Sequence, residues 1–114
     1  MNKHICKNFV VTCMDFRIQA TVEALLENLG IEKGTYDRTS FAGGAADTEN
    51  LKKHLELSKR LHESSHAILT IHEDCGAGAK EADLLTAKTI ADELGFTSQL
   101  FTIKLDGTWE EVQG

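Results

Sequence analysis

The chain has 114 residues, enough for one domain with a modest core and too few for two. It is 41% hydrophobic and 26% charged, in the range of soluble globular proteins, and no apolar run approaches the roughly 18 residues of a membrane span. A formal charge of −6 argues against a nucleic-acid or anionic-membrane partner, either of which needs a basic patch.

The opening stretch MNKHICKNFVVT has neither a long apolar core nor a small-residue cleavage site, so no signal peptide is expected. Three cysteines with no secretion signal point to thiol or metal chemistry in a reducing, cytoplasmic setting rather than to disulfides. Proline is absent, where about six would be usual at this length, so turns must rest on Gly, Asn and Asp. No linker, repeat or low-complexity tract divides residues 1–114, which are expected to form a single domain.

The β-branched, apolar run from Asn8 to Cys13 reads as a buried strand. From Ile18 the spacing becomes helical, with Ile18, Val22, Leu25, Leu26 and Leu29 on one face and Gly30 past the end. Tyr36 to Phe41 is a weaker second strand, closed by Gly43 and Gly44 in a tight turn. Residues 48–64 form an amphipathic helix with Leu51, Leu55, Ser58 and Leu61 inward. His66 to Ile71 is the third strand. Residues 80–95 are the third helix, with Ala82, Leu85, Thr89 and Ile90 inward and Gly95 as its stop. Residues 99–105 make a fourth strand. Asp106-Gly107 suits a two-residue type I′ turn into a fifth, antiparallel edge strand, whose Glu110 and Glu111 would blunt the edge. Trp109 there would either anchor an interface or cover the end of the core.

Three strand–helix alternations predict an α/β fold. Its sheet is mainly parallel in the order 2-1-3-4, with the antiparallel strand at its edge and helices on both faces. Strands 1 and 3 are then neighbours, and the crevice at their carboxyl ends is the usual ligand site. Cys13 ends the first strand, and His72 and Cys75 follow the third. Two thiolates and one imidazole with a fourth position open is a catalytic zinc count rather than a closed structural one. Gly76 and Gly78 either turn backbone N–H groups toward an anion at the start of the third helix or simply make a tight turn. Cys6, at the other end of the first strand, reads as a core residue, and His62 and His66 as solvated groups.

CMDFR, followed some sixty residues later by HEDCGAG, resembles the C-x-D-x-R and H-x-x-C-G signatures of the β-class carbonic anhydrases. The segment LGIEKGTYDRTSFAGG is similar in layout to the one that ends in R-N-A-G-G in that family, and LFTIKLDGTWEEV resembles its closing hairpin, so the likeness runs through nearly the whole chain. The resemblance implies a zinc ion on Cys13, His72 and Cys75, a catalytic dyad of Asp15 and Arg17, and reversible hydration of CO2 to bicarbonate by metal-bound hydroxide. It also implies a homodimer. Arg17 would hold Asp15 off the metal by a bidentate pair while Asp15 accepts a hydrogen bond from zinc-bound water. Two departures stand out. Phe16 replaces the usual small residue beside the dyad, and Ser40-Phe41 stands where the family has Arg-Asn. Phe16, Phe41 and Gly76 are therefore expected on the substrate side. The alternatives are hydrolysis of the linear analogues carbonyl sulfide or carbon disulfide, and a zinc-binding protein without turnover. A thiol-redox role for Cys13 and Cys75 lacks a C-x-x-C motif.

Overall fold

A computed structural model describes residues 4–114; the first three residues of the stretch read above for a leader lie outside the described residues. The strands are β1 (Asn8–Cys13), β2 (Tyr36–Phe41), β3 (His66–His72), β4 (Thr97–Ile103) and β5 (Trp109–Val112). The helices are α1 (Gln19–Asn28), α2 (Thr48–His62) and α3 (Glu81–Glu93). Short 3-10 turns at Phe16–Ile18 and Gly44–Ala46 lead into α1 and α2. The five strands form one sheet in the order β2-β1-β3-β4-β5, parallel except for the β4–β5 pair, as expected.

Burial explains which strands are central. Phe9 to Cys13 and Ala67 to His72 are buried without a break, as strands covered on both faces must be. The polar YDRTSF of β2 is only partly covered, which suits an edge. Alternation then splits the core in two. Phe9, Val11, Leu69 and Ile71 face α2 and α3, packing with Leu51, Leu55, Leu84, Ala87 and Ala91. Val10, Ile68, Phe101 and Ile103 face α1, packing with Ile18, Val22, Leu25 and Leu26. Each fully buried leucine in these layers contributes about 1.5–3 kcal/mol of transfer free energy.

Glycine ends two of the helices. At Gly30 (φ 74°) the N–H donates to Glu27 O and the next N–H, of Ile31, to Leu26 O. Gly95 (φ 85°) and Phe96 repeat this pair of bonds on Asp92 and Ala91. Both are Schellman closures that satisfy otherwise orphaned carbonyls. α2 ends instead on Glu63 in the left-handed region, at φ 56°.

Three local expectations are corrected. On α3 the inward face is Leu84, Ala87 and Ala91, with Ile90 against the same layer, whereas Ala82, Leu85 and Thr89 are exposed. Apolar residues surround that helix, so periodicity alone does not choose a face; the small Ala87 and Ala91 let it approach the sheet closely. On α2, Leu61 is 55% exposed, because it lies about 80° around the helix from the line of Leu51, Leu55 and Ser58, at about 100° per residue. The β4–β5 connection is not a two-residue type I′ turn. Such a turn needs positive φ at both central residues, and Asp106 lacks it while Gly107 has φ 92°. The loop has three residues, closed by Lys104 N–H to Thr108 O, and the Asp106 carboxylate accepts from the Thr108 N–H and hydroxyl.

Candidate metal and catalytic site

The carboxyl ends of β1 and β3 bring Cys13, His72 and Cys75 together. Their Sγ, ring-nitrogen and Sγ atoms all lie within 4.8 Å of one another, with Cys13 and His72 buried and Cys75 half-buried. Two of the three are held from behind. Gly43 N–H donates to Cys13 Sγ at 3.4 Å. His72 Nδ1 lies 2.7 Å from the carbonyl of Glu73, so it must carry the proton and leave the lone pair on Nε2. That Nε2 is buried and has no hydrogen-bond partner among the described residues. A buried acceptor without a partner is costly, and a cation facing it and two sulfurs removes the deficit. The donor set, two sulfurs and one nitrogen, fits a borderline-soft divalent metal such as zinc.

Gly43 and Gly44 follow β2 and wedge against these strands, with φ of 88° and 55°. Gly44 lies so close to Cys13 N and Thr70 O that no side chain fits there. The turn thereby presents the Gly43 N–H to the sulfur.

Asp15 and Arg17 stand beside this group. Arg17 Nε donates to both Asp15 oxygens, at 3.1 and 3.2 Å, and Nη2 to Oδ2 at 2.7 Å. The Arg17 backbone N–H adds a bond to Asp15 Oδ1 at 2.8 Å, which also caps the 3-10 turn at Phe16–Ile18. The Arg17 side chain, then its backbone N–H, hold the Asp15 carboxyl down to about 2. Asp15 is therefore ionised and acceptor-only near neutrality. Its Oδ2 lies 3.8 Å from His72 Nε2, too far for a hydrogen bond and at the border of the ligand group.

Asp74 completes the clasp, and sequence reasoning had not singled it out. Its Oδ2 accepts from Arg17 Nη1 at 3.1 Å and its carbonyl from Nη2 at 3.0 Å. The residue has φ 55°, a conformation that Asp tolerates better than most, and this turns both oxygens toward the guanidinium. An acid between His72 and Cys75 was the available signal. Glu73 was missed for the same reason: its Oε1 accepts Leu105 N–H at 2.7 Å and ties the loop after β3 to the β4–β5 connection.

The residues expected on the substrate side stand in three different settings. Phe16 is 84% exposed between Asp15 and Arg17, and Met14 beside it is 65% exposed. Phe41 turns instead into the α2 layer, where its ring meets His54 at 5.3 Å between centroids. Ser40 is exposed and hydrogen-bonded to Thr12 at 2.9 Å. Gly76 lies in the loop after Cys75, but α3 starts only at Glu81, where the Asp83 carboxylate accepts the Lys80 N–H at 2.8 Å. The helix end thus carries its own acid, and Gly76 is not part of it. Neither His62 nor His66 is a free solvated group. His62 bonds the Asp37 carboxylate at 2.7 and 2.9 Å, and His66 bonds Thr97 and Gln99 at 2.6 and 3.0 Å.

No family model matches this sequence, and no curated protein matches it either. Solved structures do match in shape. A carbonic anhydrase from Streptococcus mutans superposes with a TM-score of 0.68 at 16% identity, covering 97% of this chain and 84% of that one. The β-carbonic anhydrase isoform I of Trichomonas vaginalis gives 0.63 at 16% identity, covering 97% and 85%. The fold is that of the β-carbonic anhydrases. A carbon disulfide hydrolase in its apo form also matches this β-carbonic anhydrase fold, with a TM-score of 0.62 at 13% identity over 95% and 79% of the two chains. The fold neighbours include enzymes that act on small molecules, and the Cys13–His72–Cys75 group is one that could hold a metal. Among the described residues no helix is long and apolar enough to cross a membrane.

Proposed function

We propose that this chain is a zinc lyase of the carbonate dehydratase type, catalysing reversible hydration of CO2 to bicarbonate. Cys13, His72 and Cys75 would hold the zinc ion. The observation that carries the reading is the ionised, doubly clasped Asp15 standing at the border of a Cys2His ligand set whose buried His72 Nε2 has no partner among the described residues. When bound, zinc supplies the Lewis acidity that lets water ionise near neutral pH. Two thiolates temper that acidity, so a positioned hydrogen-bond acceptor that orients the water adds to the rate.

Asp15 is that acceptor. Both of its oxygens are engaged by Arg17, which leaves it no proton to give and fixes the direction of its remaining lone pairs. It therefore takes a hydrogen bond from a water poised to attack and aims that water's free lone pair at carbon. Arg17, held from its far side by Asp74, keeps the carboxylate from swinging onto the metal. Gly43 N–H on Cys13 and the Glu73 carbonyl on His72 fix two ligands in orientation. A homodimer belongs to this reading, supported by the exposed Met14 and Phe16 flanking the dyad. So does the cytoplasm, where the three free cysteines stay reduced.

Stopped-flow CO2 hydration by the zinc-loaded protein tests the assignment, with Asp15→Asn as the comparison. Fast turnover that collapses in the variant is expected. Absence of turnover with zinc bound would overturn it. A second reading, hydrolysis of carbonyl sulfide or carbon disulfide, is supported by the likeness to a carbon disulfide hydrolase. Sulfide release from those substrates without CO2 turnover would favour it. Inactivity on all three would leave a zinc-binding protein without turnover.

A further inference from the structure

The amino end of the sheet holds a second cluster of ligand-type side chains. The left-handed Glu63 stops α2, and the carbonyl of His62 then accepts the Cys6 N–H at 3.1 Å. That bond sets the Cys6 side chain against the end of α2. Asp37, the second residue of β2, sends its carboxylate across to His62 Nδ1 and to the Ser58 hydroxyl, the latter at 2.6 Å. A sulfur of Cys6, a carboxylate oxygen of Asp37 and a ring nitrogen of His62 lie within 4.8 Å of one another, all half-buried. They open on a pocket of about 240 Å³ that His4 and Tyr36 also line. Cys6 and Cys13 are seven residues apart along β1 and its lead-in, so this cluster stands roughly 20 Å from the first, at about 3.3 Å per residue.

A thiol is a weak hydrogen-bonding group, and the Cys6 sulfur engages Asn8 O at 3.7 Å, the Ser64 hydroxyl at 3.5 Å and the Asp37 carboxylate. A serine would bond better in a network that already holds Ser58, Ser64 and Asp37. One thiolate, one carboxylate and one imidazole instead match a divalent metal in charge and in softness. Tetrahedral bonds of about 2.0–2.3 Å put donor atoms about 3.3–3.8 Å apart, so metal binding opens the Asp37–His62 pair, now at 2.7 Å, by roughly 1 Å.

We propose that Cys6, Asp37 and His62 form a second divalent-metal site of zinc type, whose fourth position faces the pocket. Binding releases the Cys6 thiol proton and moves the proton of neutral His62 from Nδ1 to Nε2, so that Nδ1 can ligate. The three ligands come from the lead-in to β1, from β2 and from the end of α2. The ion would therefore pin segments distant in sequence.

The test uses the full chain equilibrated with excess Zn2+ and freed of loose metal by gel filtration. Two zinc ions per chain are expected, falling to one in Cys6→Ser. A count unchanged by Cys6→Ser would overturn the proposal. The Cys13→Ser/Cys75→Ser double variant should still hold one ion, which separates this site from the proposed catalytic one. Should a variant fail to fold, the wild-type chain decides by itself. Zinc should shield the Cys6 thiol from iodoacetamide, read by peptide mass; equal labelling with and without zinc would refute the site.

Discussion

Substituting Gly44 by alanine tests how tightly the turn after β2 is wedged behind Cys13. A Cβ added at Gly44 would lie 2.6 Å from Thr70 O, 2.9 Å from Cys13 N and 3.1 Å from Thr12 C. All three are backbone atoms of the two central strands, so no flexible side chain can swing aside. Overpacking of this kind costs about 1–3 kcal/mol. The φ of 55° adds about 1–2 kcal/mol for a residue with a Cβ. The expected loss is about 2–5 kcal/mol, a large share of the roughly 5–15 kcal/mol that holds a domain folded. Two neighbouring glycines act as internal standards. At Gly43 (φ 88°) the nearest atoms to an added Cβ are side-chain carbons at 3.5 and 3.8 Å, so only the conformational part, about 1–2 kcal/mol, should appear. At Gly76 nothing lies within 4 Å and φ is not positive, so Gly76→Ala should fall within about 0.5 kcal/mol of the parent. Urea denaturation of the three metal-free variants gives the ordering. A Gly44→Ala midpoint equal to that of Gly43→Ala would refute the wedge argument.

Arg17→Ala should leave the metal ligands in place while freeing Asp15, lowering CO2 hydration by roughly 10–100-fold, the usual effect of losing a residue that orients a metal site; stopped-flow rates beside zinc content check it. Asp37 sets an acid limit on stability. Burial pushes its carboxyl up, but the bonds from Ser58 and His62 outweigh this and hold it below the usual value. A depressed value means that the native state binds this proton less readily than the unfolded chain. The associated stability is therefore complete above about pH 4 and is lost as pH falls through the lower folded value. In metal-free protein Asp37→Asn should lose about 1.5–3 kcal/mol at pH 7, as for a hydrogen-bonded charged group, and show a flatter decline below about pH 4. Urea midpoints across pH measure both, and parallel acid profiles would contradict the assignment.

The strand order and the meeting of Cys13, His72 and Cys75 were legible without coordinates because both rest on strong local signals. Apolar β-branched runs at Asn8–Cys13 and His66–His72 fall on central strands, and parallel connections place their carboxyl ends side by side. Ligand-type residues at those two ends then had to meet. Side chains whose partners lie far along the chain were not legible. Asp74 reads as one more acid, yet its backbone conformation turns it onto Arg17, 57 residues away. Cys6 read as core and His62 as solvated. Their setting depends on how α2 ends against the lead-in to β1, which no window of sequence contains. The inward face of α3 escaped for another reason: apolar residues on several sides leave the choice to packing. The sequence by itself determined the alternation of elements and the identity of the donor atoms. Tertiary structure decided their orientation, because hydrogen bonds between distant segments depend on distances that only the packed sheet sets.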